Sequence, residues 1–226
     1  MNPAPAPTTR LAPSPTGALH LGNARTFLVN WALARRNQWR IVLRIEDLDG
    51  PRVKPGADRL AIELLQWLGI DWDSGPLWQS TDLSPYREAM DQLARLGLAY
   101  ASDLSRTEVE RLTAASDAVS APQEGSHEVR FPASLRPTID TTTRARGFDD
   151  DARTWRFTAD PGPVSFSDRF AGRRTYDVAE IAGDFIIWTR QRMPAYQLAV
   201  VVDDAAQGVT EIVRGDDLLD SAARQL

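Results

Sequence analysis

The chain has 226 residues, 42% hydrophobic and 25% charged, with 14 glycines, 15 prolines and a net charge of −5. These proportions exclude collagen-like, low-complexity and wholly disordered classes, and the length suits one large domain or two small ones around a substantial core. With no Cys, disulfides, thiolate nucleophiles and sulfur-ligated zinc are excluded; with only two His, His20 and His127, a metal site would have to lean on carboxylates.

The acidic balance gives no whole-molecule attraction for nucleic acid or anionic lipid, so an RNA contact requires a local basic face. Of the 26 basic residues only Lys54 is a lysine, which reads as a composition bias. The start, MNPAPAPTT, lacks the basic and apolar regions of a signal peptide and is expected to be a flexible tail over residues 1–9. Apolar runs such as Leu198 to Val202 are too short to span a bilayer, so the expectation is a soluble, cytoplasmic protein with no membrane contact.

In chain order, TTRLAPSP reads as a short strand ending in a Pro-rich turn. His20 to Arg36 reads as a helix, with Leu21, Ala24, Leu28, Trp31 and Ala32 at helical spacing. Arg40 to Asp47 is apolar and β-branched enough for a buried strand. Pro55 to Gly69 is a second helix with Ile62, Leu65 and Leu68 on one face and Gly69 as its stop, and Ser84 to Leu96 a third. Strand and helix in alternation predict an α/β fold with a parallel sheet and crossover helices.

From about Tyr100 to Arg190 the composition shifts to Ser, Thr, Asp, Arg and Pro, which reads as an inserted subdomain of short strands and loops. AYQLAVVVDD and GVTEIVRG then read as two strands joined by a polar connection, with a last helix beginning near Asp216. The expected organisation is therefore residues 10–99 as the first half of the main domain, 100–190 as the insert and 191–226 as the second half. Within the insert, Trp155 and Trp188 read as core. Arg144, Arg146, Arg173 and Arg174 have two open readings: tracks for an RNA backbone, or an ordinary surface paired with Asp149, Asp150, Asp151 and Asp177.

Two constellations carry chemistry. The first is Arg10-x-Ala12-Pro13-Ser14-Pro15-Thr16-Gly17-x-x-His20-x-Gly22-Asn23, running from a strand end through a turn to a helix N-terminus. In an open α/β sheet this is where the ligand crevice lies, and the unpaired helix N–H groups suit phosphate. Gly17 and Gly22 would permit a tight turn and close approach of a nucleotide. Taken alone, His20 reads first as a helix cap or a core histidine; with Pro-Ser-Pro-Thr-Gly just upstream it reads as a contact for a bound anion. The second constellation is Arg44-Ile45-Glu46-Asp47-x-Asp49, where strand alternation sends Glu46 to the face opposite Ile45 and Asp47. One acid there could hold an ammonium; alternatively these acids cap the following turn.

PSPTGALHLGNAR followed by RIEDLD resembles the catalytic domain of glutamyl-type class I aminoacyl-tRNA synthetases, and AYQLAVVVDDAAQGVTEIVRGDDLLDS is similar to a later segment of that family. The resemblance implies a class I aminoacyl-tRNA synthetase Rossmann-like parallel sheet with an inserted connective, acceptor-binding-like subdomain. YQLAVVVDD, and YASDLSR with FPASLR, resemble more closely the short glutamyl-Q tRNA(Asp) synthetase branch. That branch activates L-glutamate with ATP and Mg2+ and transfers it to the queuosine base of tRNA(Asp), usually as a monomer.

Carried residue by residue, the resemblance assigns Arg10, Ser14, Glu46, Tyr196 and Arg214 to glutamate, with Glu46 on the α-ammonium. It assigns Pro13, Thr16, Gly17, His20 and Gly22 to ATP, and His20, Gly22 and Asn23 to the catalytic step. Ser102, Leu104, Phe131 and Leu135 stand at the four ligand positions of the branch's zinc module, so no zinc is expected. The family's lysine-bearing ATP loop lies beyond the VRG-x-DL segment, where this sequence stops, and Lys54 lies elsewhere. A C-terminally truncated chain, or a shortened relative with impaired adenylation, is the resulting expectation. A truncated glutamyl-tRNA synthetase catalytic domain and a silent glutamate-, nucleotide- or RNA-binding paralogue are the alternatives.

Overall fold

A computed structural model describes residues 6–17, 19–114 and 129–226, and His127 falls outside them. The chain divides into two compact units, Met1–Pro85 with Ala199–Leu218, and Tyr86–Leu198 with Leu219–Leu226.

In the first unit, β1 (Thr8–Leu11) leads to α1 (Leu21–Arg36), β2 (Arg40–Ile45), α2 (Ala57–Trp67) and β3 (Ser74–Trp78). The strands form a parallel sheet in the order β1-β2-β3, with Thr8 opposite Arg40 and Leu11 opposite Leu43. This is the parallel α/β arrangement expected from the strand and helix alternation. β1 takes in Thr8 and Thr9 from the stretch expected to be a tail, and both are buried.

β2 is buried from Ile41 to Ile45, the continuous run of a strand covered on both faces; its polar member, Arg44, is 1% exposed. Leu11, Ala34, Trp39, Ile41, Leu43, Ile45, Leu65 and Ile70 form the core. Each large aliphatic side chain there contributes roughly 1.5–3 kcal/mol by leaving water. Gly69 stops α2 at φ +75°, a left-handed conformation natural to glycine, and its N–H donates to the Gln66 carbonyl at 2.9 Å. The third helix, α3, runs from Ser84 to Leu96, the range its apolar spacing predicts.

Two expected strands are not strands. AYQLAVVVDD contains an 11-residue helix from Tyr196 to Ala206, which buries Leu198, Ala199, Val200 and Asp204. A short apolar run is compatible with a buried strand or a buried helix, and here packing overrides the strand preference of valine. GVTEIVRG is irregular: Thr210 and Glu211 donate backbone N–H groups to the Thr8 carbonyl at 2.8 and 3.0 Å. The Thr8 N–H in turn donates to the Thr210 hydroxyl rather than to a carbonyl, so no ladder propagates. The last helix begins as a 3-10 turn at Asp216–Leu218 and continues from Leu219 to Gln225.

In the second unit, β4 (Ala99–Ser102) is followed by α4 (Arg106–Ala114), α5 (Thr141–Arg146), β5 (Thr154–Phe157), β6 (Pro163–Asp168) and β7 (Gly172–Asp177). α6 (Val178–Ile181), β8 (Phe185–Trp188) and α8, the Leu219–Gln225 helix, complete the second unit; α7, the Tyr196–Ala206 helix, belongs to the first unit from Ala199 onward. The short strands match expectation, in an antiparallel sheet β4-β5-β8 and a hairpin β6-β7. α4 was not foreseen, although its start carries a readable signal in Ser105-x-x-Glu108. The Ser105 N–H donates to the Glu108 carboxylate at 2.7 Å, and the Glu108 N–H to the Ser105 hydroxyl at 3.3 Å.

Trp155 and Trp188 are core, 4% and 0% exposed, each edge-on to Phe148. Buried Asp184 accepts from Tyr100 Oη at 2.6 Å, from Arg136 Nη2 at 2.8 Å and from the Ala159 N–H at 2.8 Å. Arg136 first, then Tyr100 and Ala159, outweigh the effect of burial and hold its carboxyl below the usual range. The neighbouring acids are engaged otherwise than the surface-pairing reading supposed. Asp150 accepts from Trp188 and Arg87, Asp151 pairs with Arg153, and Asp177 accepts from the backbone of Gly162 and Glu180. Among the described residues no helix is long and apolar enough to cross a membrane.

Candidate functional site

At the carboxyl ends of β1 and β2 the first unit gathers the two sequence constellations. The turn after β1 alternates buried Pro13, exposed Ser14 and buried Pro15, followed by half-buried Thr16 and Gly17. It is laced to the segment after β2. The Glu46 N–H donates to the Pro13 carbonyl at 3.0 Å, the Ser14 hydroxyl donates to the Glu46 carbonyl at 3.1 Å, and the Lys54 N–H donates to the Pro15 carbonyl at 2.9 Å. Proline supplies no N–H, so the turn offers carbonyls to this partner and leaves the Ser14 hydroxyl as its donor.

His20 caps α1 in an extended conformation, and its N–H donates to Asn23 Oδ1 at 3.2 Å. A Cβ placed on Gly22 would meet the His20 ring at 3.0 and 3.1 Å. Gly22 therefore makes room first for the imidazole, which stands exposed over the helix N-terminus.

Beside this turn lies a buried ionic cluster. Arg44 donates to Asp204 Oδ1 at 2.7 Å, to Gln207 Oε1 at 3.0 Å and to Glu46 Oε1 at 3.2 Å, with Asp203 Oδ2 at 3.7 Å. Arg10 Nε is 3.4 Å from Asp204 Oδ2, and Gln79 Nε2 donates to Asp203 Oδ2 at 2.6 Å. Two guanidiniums thus face three carboxylates. Burial pushes the Glu46 carboxyl above its ordinary value, against the opposing pull of Arg44 and Arg10. Arg44 keeps its charge: burial opposes it, and Glu46, Asp204 and Asp203 together outweigh burial. Asp47, on the other face of the strand end, is used structurally and accepts from the Ser80 N–H at 2.9 Å and hydroxyl at 2.5 Å.

Of the expected glutamate residues, Arg10, Ser14 and Glu46 are brought together. Arg214 is half-buried in the irregular segment after α7, next to Val213, which packs on the first core. Tyr196 belongs to the second unit, at the start of α7, and is 41% exposed. Sequence reading placed Arg44 in the second constellation without a role, and missed Asp203, Asp204 and Gln207. The available signal was the acidic pair directly after LAVVV, where Val200 and Asp204 share one helix face and are both buried.

In the second unit, Leu104, Phe131 and Leu135, at three of the four positions that the resemblance assigns to zinc ligands, pack together with Tyr100, Val109, Val129 and Ile139 in one apolar cluster. Phe131 is fully buried, with the Arg156 guanidinium 4.1 Å above its ring, and Ser102 is 7% exposed in β4.

Residues 7–226 match the family described as tRNA synthetases class I (E and Q), catalytic domain. The chain is 44% identical over 226 residues to a glutamyl-Q tRNA(Asp) synthetase of Rhodopirellula baltica, covering 96% of this chain and 67% of the relative. It is 38% identical over 220 residues to a glutamate–tRNA ligase of Synechococcus sp., covering 96% of this chain and 44% of the relative. Among solved structures, a glutamate tRNA ligase from Elizabethkingia meningosepticum in complex with its amino acid matches with TM-score 0.77 and 26% identity, over 98% of this chain and 46% of that one. The chain thus spans about two thirds of the glutamyl-Q relative and under half of the two ligases. The parallel sheet, the laced turn and the match over residues 7–226 make this chain a member of the class I tRNA synthetases of the E and Q type, by their catalytic domain.

Proposed function

We propose that the site activates L-glutamate with ATP and transfers the glutamyl group to tRNA(Asp), at its queuosine base. The observation that carries the first half is the cluster of Arg10, Arg44, Glu46, Asp203 and Asp204 beside the Pro13–Gly17 turn. With two cations against three carboxylates it has one carboxylate in excess, which suits a substrate ammonium. Glu46 holds the α-ammonium. Arg10 and Arg214 attract the two carboxylates, and the Ser14 hydroxyl turns from the Glu46 carbonyl to donate to one of them. Pro13, Thr16, Gly17, His20, Gly22 and Asn23 border the nucleotide phosphates at the start of α1. Mg2+ enters with the triphosphate as part of the co-substrate.

A glutamate α-carboxylate oxygen attacks the α-phosphorus of ATP, the bond to pyrophosphate breaks, and glutamyl-adenylate forms. A hydroxyl of the RNA then attacks the glutamyl carbonyl and AMP leaves. Neither step needs a protein nucleophile, so the residues act by orientation and by balancing phosphate charge. Arg144, Arg146, Arg173 and Arg174 of the 100–190 insert would meet the RNA backbone.

The identity to the glutamyl-Q relative favours the base as acceptor, while the ligase matches favour a second reading, transfer to the 3′ end of a tRNA. Labelled glutamate offered with tRNA(Asp) lacking its terminal adenosine separates them. Transfer to RNA carrying queuosine, and none to RNA without it, supports the proposal. A strict need for the terminal adenosine overturns it in favour of the second reading.

A further inference from the structure

Lys54, the single lysine of the sequence, has no role assigned by its position in the chain, yet the fold brings it to the turn. Its N–H donates to the Pro15 carbonyl at 2.9 Å, and its carbonyl accepts from the Ala57 N–H at 3.1 Å at the start of α2. Lys54 is therefore held by its backbone between the turn and a helix. Its ammonium reaches over the turn, where a Cβ built on Gly17 would stand 3.9 Å from Nζ. The side chain is exposed. Asp58, the acid nearest to it in sequence, accepts from Trp78 Nε1 at 3.1 Å, and Asp49 on the other side pairs with Arg52.

Charge chemistry distinguishes this cation from the others nearby. Arg10 and Arg44 sit in the buried cluster against carboxylates. Lys54 instead presents a hydrated, rotatable point charge at a surface where Gly17 has no side chain, a combination suited to a phosphate oxygen rather than a planar carboxylate. The three hydrogen bonds that lace the turn to Glu46 and Lys54 fix this position before any ligand arrives.

We propose that Lys54 is the phosphate-holding cation of the Pro13–Gly17 turn, and that its ligand is the polyphosphate chain of the nucleotide. This rests on the activation reading above. The same chemistry could be supplied by an RNA backbone, and the test separates the two sources.

Binding of ATP, AMP, inorganic tripolyphosphate and tRNA is measured by calorimetry on the wild-type chain and on the Lys54→Met and Lys54→Arg variants, with circular dichroism confirming the fold. Loss of one charge-assisted contact predicts that Lys54→Met weakens ATP and tripolyphosphate about tenfold. AMP and tRNA affinities stay unchanged, and Lys54→Arg recovers most of the loss. Weakened tRNA with unchanged ATP overturns the nucleotide assignment and makes the phosphate that of the RNA. Unchanged affinity for all four, or an equal loss for AMP, overturns the proposal while leaving the activation reading intact. A wild-type chain that binds glutamate but neither ATP nor tripolyphosphate overturns both.

Discussion

Arg44 Nη1 donates to Asp204 Oδ1 at 2.7 Å, joining β2 to a helix 160 positions further along the chain. The two side chains are 1% and 11% exposed. Because Arg44 also contacts Glu46, one guanidinium both closes the first unit and sets the orientation of the acid expected to hold the substrate amine. Arg44→Met leaves three carboxylates without their shared cation, and removal of one partner of a buried pair costs about 3–5 kcal/mol. Urea unfolding followed by tryptophan fluorescence should show that loss. A variant as stable as the wild type would mean the cluster is not a closing contact.

Glu46→Gln keeps the size of the side chain and removes its charge. Its expected effect is a rise in the KM for glutamate of about tenfold to a hundredfold, the range for a charge-assisted hydrogen bond. The pH dependence has a definite sign. Ionised Glu46 holds the ammonium, and burial raises its pKa against the pull of Arg44 and Arg10. Glutamate affinity should therefore be full above that raised value and fall as pH drops through it, starting at a higher pH than for an ordinary glutamate. The inflection should be absent from the Glu46→Gln profile, and its persistence there would assign it to another group.

Gly22→Ala places a methyl group 3.0 Å from the His20 ring. In the first turn of α1 alanine is a better helix former than glycine by up to about 1 kcal/mol, so stability should hold or rise. The imidazole must shift, and the rate of adenylate formation should fall about tenfold to a hundredfold while glutamate binding is retained. Single-turnover kinetics with a melting curve checks both parts, and an unchanged rate would remove His20 from the catalytic step.

Phe131 anchors the apolar cluster at the zinc-like positions. Phe131→Ala should cost about 3–5 kcal/mol, because a fully buried aromatic leaves a cavity. Adding Zn2+ or a chelator should leave the melting temperature of the wild type where it was. A Zn2+-dependent rise would show a metal site that the side chains at positions 102, 104, 131 and 135 do not account for.

The parts of the fold legible in the sequence are those with local causes. The apolar run Ile41–Ile45 marks a buried strand, helical spacing marks α1 and α3, and Gly69 marks the end of α2. The helix over Tyr196–Ala206 was not legible, since a few valines serve a buried strand or a buried helix equally. That ambiguity hid the pairing of Asp204 with Arg44 and with it half of the ionic cluster. Arg10, Ser14 and Glu46 were legible because each lies in a motif at a strand end. Lys54 was not, because its approach to Gly17 depends on the path of the chain between β2 and α2, which no local pattern encodes.

The proposed role of this cluster and turn is the activation of glutamate. It is tested most directly by exchange of labelled pyrophosphate into ATP, with glutamate or glutamine and with tRNA(Asp) present or absent, on the wild type and on Glu46→Gln. Exchange should require glutamate, find no support from glutamine, and be lost in Glu46→Gln. Exchange that ignores the amino acid or survives that substitution, or no exchange from a folded chain that binds both ATP and glutamate, would contradict it.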